Sequence, residues 1–110
     1  MDEASTQLRK GSLELAVLAL LSAAPRYGAD VVEDLSGRPG LEATAGTIYP
    51  LLTRLKNAKL VETTWHESPV GPPRKYYALS RAGTRHLAAQ RGAWERLSTT
   101  LTSLLKETEQ

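Results

Sequence analysis

Thr44-Ala45-Gly46-Thr47-Ile48-Tyr49-Pro50-Leu51-Leu52-Thr53-Arg54-Leu55 is the stretch on which the fold turns. Ile48, Leu51, Leu52 and Leu55 recur at the three-and-four spacing that lines one helical face. Thr47, Tyr49, Thr53 and Arg54 occupy the other face, with groups able to reach base edges, sugars or phosphates. Pro50 lacks a backbone donor and crowds the carbonyl four residues earlier, that of Gly46. A break there would leave two short helices, but the apolar spacing crosses Pro50 without changing phase. The stretch therefore predicts one helix capped by Thr44, with the missing Cβ of Gly46 giving the backbone room to adapt to Pro50.

Upstream, Ser12 is positioned to cap a helix whose inward residues are Leu13, Val17, Leu20 and Leu21, and Pro25 stops it. Tyr27-Gly28 opens a second helix through about Ser36, with Val31, Val32 and Leu35 facing inward. Gly37 and Pro39-Gly40 make a loop, after which Leu41 packs. Two helices, a short connection and a third amphipathic helix follow the helix-turn-helix order.

Downstream the period changes to two: Val61, Thr63 and Trp65 alternate with Glu62, Thr64 and His66, which predicts a strand over 60–67. On this reading Trp65 covers core. Ser68-Pro69-Val70-Gly71-Pro72-Pro73 is a stiff loop, and a second strand runs from Arg74 to Leu79. The pair is a hairpin whose tip is followed at once by Arg74 and Lys75. Ser80 then caps one long helix to about Lys106. Along it Leu87, Trp94 and Leu101 are seven apart, as are Gln90, Leu97 and Leu104, offset from the first set by three. Such a repeat favours helix-on-helix packing. The chain itself can cover Leu87, but little of it is left to cover Leu101 and Leu104, so a second copy is the natural cover. The fold class is mainly α with a small β-hairpin (α+β): a winged helix-turn-helix over 1–80 and a dimerisation helix over 81–110.

Composition narrows the function. At 110 residues the chain makes one domain with a modest core. It has no cysteine, so disulfides and thiolate chemistry are excluded. His66 and His86 lie twenty residues apart, without the close pairing of a metal site. Asp2 and Glu3 without an apolar run do not make a secretory signal. The apolar run Leu13 to Ala24 contains Glu14 and Ser22 and has only twelve residues, short of the roughly 20 a membrane helix needs, so no membrane partner is expected.

No nucleophile-base pair, phosphate-binding glycine loop or carboxylate cluster suggests an enzyme, a cofactor or a metal. Charge is unevenly spread: residues 1–43 hold four basic and seven acidic groups, net −3; residues 92–110 hold two and three, net −1; residues 44–91 hold eight against two, net +6. A polyanion facing the middle segment fits that pattern, and by itself so does a solvated basic face. A winged helix used only for protein interaction would be neutral or acidic there.

The chain resembles the PadR-like transcriptional regulators. The resemblance rests on Leu8-Arg9-Lys10-Gly11-Ser12-Leu13-Glu14, Arg26-Tyr27-Gly28, Gly46-Thr47-Ile48-Tyr49-Pro50-Leu51-Leu52 with Arg54-Leu55, Gly71-Pro72-Pro73-Arg74-Lys75-Tyr76-Tyr77, and Leu79-Ser80 with Ala82-Gly83. It implies a bacterial, cytoplasmic, homodimeric repressor that binds a double-stranded DNA operator, an inverted repeat with half-sites roughly 34 Å apart. Thr44, Ala45, Gly46, Thr47, Tyr49 and Pro50 would lie at the DNA, Arg54 and Lys56 toward phosphates, and Arg74 and Lys75 on the wing beside the backbone or minor groove. Leu87, Trp94, Leu97, Leu101 and Leu104 would form the dimer seam.

Short relatives include regulators that bind flat aromatic compounds between subunits against a tryptophan of this helix. Trp94 is thus a packing residue first and a candidate surface for a small aromatic effector that releases DNA. Two departures matter. Relatives commonly place an aromatic residue after Arg26-Tyr27-Gly28, where this chain has Ala29-Asp30. They often place a glycine before Leu60, where this chain has Lys59, which must take a positive φ unless Asn57 makes the turn.

Overall fold

A computed structural model of the chain describes residues 11–109. Among them the order is α1 (Ser12–Ala23), β1 (Arg26–Tyr27), α2 (Gly28–Ser36), α3 (Ala45–Asn57), β2 (Val61–His66), β3 (Arg74–Leu79) and α4 (Arg81–Glu107). This is the α+β, winged helix-turn-helix arrangement that the periodicities predict, with one added strand. The blocks Asp2-Glu3 and Leu8-Arg9-Lys10 lie outside the described residues.

Gly11, at φ 87, occupies the N-cap position of α1, so Ser12 is the first helical residue and not the cap. Glycine enters this left-handed turn without a Cβ clash, which sets the helix start one residue earlier than the serine suggests. Val17, Leu18 and Leu21 are buried, whereas Leu13 and Leu20 are half-buried. Leu18 escapes the predicted set because α1 is apolar around most of its circumference, and spacing alone cannot choose its inward face.

β1 has two residues, too few for an alternating pattern, and exists because β3 offers it an edge. Arg26 pairs with Tyr77 and Tyr27 with Tyr76, giving an antiparallel sheet of order β1-β3-β2. The hairpin register runs from Val61 opposite Leu79 to His66 opposite Arg74. Ile48, Leu51, Leu52 and Leu55 of α3 join Val17, Leu18, Leu21, Val31, Leu35, Val61, Tyr77 and Leu87 in one core. Trp65 does not cover that core. It lies opposite Lys75, one pair from the loop that closes the hairpin, and is 69% exposed.

The end of α3 is tied to the start of α4. Lys59 takes φ 65, and Asn57 remains helical. Lys59 N–H donates to the Lys56 carbonyl (2.9 Å) and Leu60 N–H to that of Leu55 (3.0 Å), the paired bonds of a left-handed helix stop. The Ser80 hydroxyl donates to the Lys59 carbonyl (2.7 Å) and accepts from Gly83 N–H (2.9 Å), while Ser80 N–H donates to the Leu60 carbonyl (3.0 Å). A Cβ on Gly83 would collide with that Leu60 carbonyl. The first turns of α4 are therefore held on the body of the molecule, and Leu87 is buried there. This corrects its assignment to the dimer seam.

Beyond Leu87 no residue of α4 is buried, and Trp94, Leu97, Leu101 and Leu104 are each about half exposed. The molecule is 57 Å long with a radius of gyration of 16.0 Å. A compact 100-residue domain would have about 13 Å. The difference is the protruding half of α4. Among the described residues no helix is long and apolar enough to cross a membrane.

Candidate nucleic-acid interface

α3 runs unbroken through Pro50. Thr44 sits at its N-cap position, but only its carbonyl serves the helix, accepting from Thr47 N–H and Ile48 N–H at 3.0 Å each; its hydroxyl makes no capping bond. A Cβ on Gly46 would make only ordinary contact with side chains, 3.6 Å from Thr44 Oγ1. Packing within the molecule does not require glycine at 46. The buried side of the helix leaves Thr44, Ala45, Gly46, Thr47, Tyr49, Pro50 and Thr53 exposed along its entrance and outer face.

Tyr49 leans back onto the start of α2, where a Cβ on Gly28 would collide with its ring. That close approach fixes the ring at the mouth of a groove of about 390 Å³ lined by Tyr27, Gly28, Ala29, Tyr49, Arg74, Lys75 and Tyr77. The groove joins the entrance of α3 to the wing. Arg74 and Lys75 are held by aromatic faces: the Arg74 guanidinium carbon is 4.5 Å from the Tyr27 ring centroid, and Lys75 Nζ is 5.7 Å from that of Tyr77 and 5.9 Å from that of Trp65. Burial pushes the Tyr77 phenol above its usual range, with Tyr49 adding to the rise, so Tyr77 is a neutral wall. The wall is aromatic and the two charges beside it are positive.

The support beneath this groove is ionic. Arg26 Nη1 donates to Asp34 Oδ2 at 2.9 Å, and Arg38 donates to the other oxygen, tying β1, α2 and the following loop together. The Arg38 hydrogen bond, followed by that of Arg26, holds the Asp34 carboxyl below the usual carboxylate range against the opposing effect of its burial. Arg54 is also engaged, its Nη1 donating to Glu14 Oε1 of α1 at 2.9 Å. Lys56 is exposed two turns beyond Tyr49 and outside the groove.

The family model of the PadR-like transcriptional regulators matches residues 17–89, most of the chain. The chain belongs to the PadR-like family. The PadR-like chain is similar to three solved structures in particular. A PadR-like transcription factor from Bacteroides fragilis is 41% identical, with 94% of this chain and 99% of that one covered and a TM-score of 0.75. A PadR-like transcriptional regulator from Bacillus cereus is 36% identical, with 90% and 96% covered and a TM-score of 0.82. A PadR family regulator from Eggerthella lenta is 35% identical, with 94% and 89% covered and a TM-score of 0.81.

This PadR-like protein is thus a DNA-binding transcriptional regulator and not an enzyme. Of the residues read from sequence, the structure brings Tyr49, Arg74 and Lys75 together around one groove, sets Thr44, Ala45, Gly46, Thr47 and Pro50 along the adjoining helix entrance, and leaves Lys56 apart. Sequence reasoning missed Tyr27, Gly28, Ala29 and Tyr77 as groove residues. Their motifs were visible, but nothing linear connects positions 27, 49 and 75.

Proposed function

We propose that this regulator is a homodimeric repressor whose α3 enters the DNA major groove while the β2–β3 wing follows the neighbouring backbone. Thr44, Ala45, Gly46, Thr47, Tyr49 and Pro50 face the bases and the adjoining sugar edges, and Arg54, Lys56, Arg74 and Lys75 meet phosphates. The observation that carries this reading is the groove: the start of α3 and the two wing cations open onto one basic, aromatic-walled surface. Gly46 fits it as well, since its missing side chain serves no internal contact and allows close approach from outside.

A second copy covers Trp94, Leu97, Leu101 and Leu104, and so spaces two α3 helices for an inverted repeat with half-sites roughly 34 Å apart. The half-exposed Trp94 ring on that seam is also where a flat aromatic effector stacks. Quenching of tryptophan fluorescence by planar phenolic or cationic compounds checks this, and an unchanged spectrum across a broad panel rejects it. The repressor reading is tested by gel shift and in vitro transcription with DNA from upstream of its own gene. Binding without loss of transcript would reject repression, and no binding in excess competitor DNA would reject a specific operator there.

A further inference from the structure

We infer that Glu14 is a positioning residue for DNA binding, holding Arg54 on the flank of α3 with its remaining donors turned out. The inference rests on the proposed contact between Arg54 and a phosphate. Glu14 comes from α1, forty residues away in sequence, and its side chain is 23% exposed. One carboxylate oxygen accepts from Arg54 Nη1 at 2.9 Å, and the other lies 3.6 Å from His86 Nε2 of α4. Three helices therefore meet at one carboxylate.

Arg54 remains 64% exposed, with one N–H committed to Glu14. A guanidinium carries five donors, so four stay available for a phosphate. A free arginine surrenders rotamer entropy when it is fixed. One already held by a carboxylate surrenders less at the moment of binding. With Arg54 largely exposed, its ion pair with Glu14 contributes little to stability by itself.

The sign of the effect separates positioning from plain electrostatics. Removing an acidic group near a polyanion strengthens binding if charge is all that matters. Positioning gives the opposite. The test uses the full chain and a random-sequence DNA duplex, with fluorescence anisotropy over a range of salt concentrations and circular dichroism to confirm folding. Arg54→Ala lowers the salt slope by about 0.9. Glu14→Ala weakens binding about fivefold and lowers the slope in the same way, whereas Glu14→Gln, which keeps an acceptor oxygen, retains most of both. Glu14→Ala adds nothing in the Arg54→Ala background.

Should Glu14→Ala fail to fold, Glu14→Asp, one methylene short of Arg54, carries the same expectation. Tighter binding by Glu14→Ala or Glu14→Asp, or a weakening that persists without Arg54, overturns the positioning role while leaving the Arg54 contact standing. An unchanged slope in Arg54→Ala removes the contact itself, and the inference with it.

Discussion

Lys59 shows most directly what a single residue costs. At φ 65 it occupies the left-handed region where a Cβ crowds the backbone, and its neighbours enforce the conformation through the two helix-stop bonds and the Ser80 hydroxyl. Lys59→Gly is expected to stabilise the protein by about 0.5–1 kcal/mol, the relief of strain exceeding the added freedom of the unfolded glycine. Chemical denaturation checks it; a lower midpoint would show that the lysine is not strained. Asp34 is the other residue with a clear consequence. Its carboxyl is held below the ordinary value of 3.8, so its ionised form is favoured by folding. That stabilisation is complete above the unfolded value and disappears as pH falls through the lower folded value. Asp34→Asn should therefore be less stable than the parent at neutral pH, and the gap should close below about pH 3.8. Melting curves across that range measure it.

At the scale of elements, α3 and the wing divide the proposed work. Phosphate contacts supply affinity with little regard to sequence, whereas base contacts supply discrimination. Arg74→Ala or Lys75→Ala should weaken binding to every duplex and reduce the salt slope by about 0.9 each. Thr47→Ala should instead lower the ratio of operator to random-sequence affinity by about 1–3 kcal/mol while leaving the slope unchanged. Tyr49→Ala should lower that ratio too and also weaken binding to every duplex without changing the slope, since its ring is neutral and fixes the mouth of the groove against Gly28. Titration of two duplexes at several salt concentrations distinguishes the classes. Equal losses of affinity and slope for Thr47 and Arg74 variants would abolish the division.

For the molecule as a whole, the protruding half of α4 is the proposed seat of assembly. Leu97 and Leu101 are 54% and 45% exposed on the part of α4 that follows its last buried residue among the described residues. Leu101→Asp should give a folded monomer by sedimentation, with operator affinity reduced at least about tenfold because the two half-sites are no longer linked. A dimer that survives Leu97→Asp with Leu101→Asp would place the interface elsewhere. By itself the sequence determined the helix order, the continuity of α3 through Pro50, the hairpin and the long α4, because each is a local period carried by side chains such as Ile48, Leu51, Leu52 and Leu55. It also marked the basic middle of the chain. Tertiary structure decided which of those groups meet: Tyr49 on Gly28, Arg74 on Tyr27, Glu14 on Arg54, Leu87 in the core and Trp65 in solvent. Periodicity tells which face of an element is buried, but the partner on that face comes from a distant part of the chain, and only packing selects it.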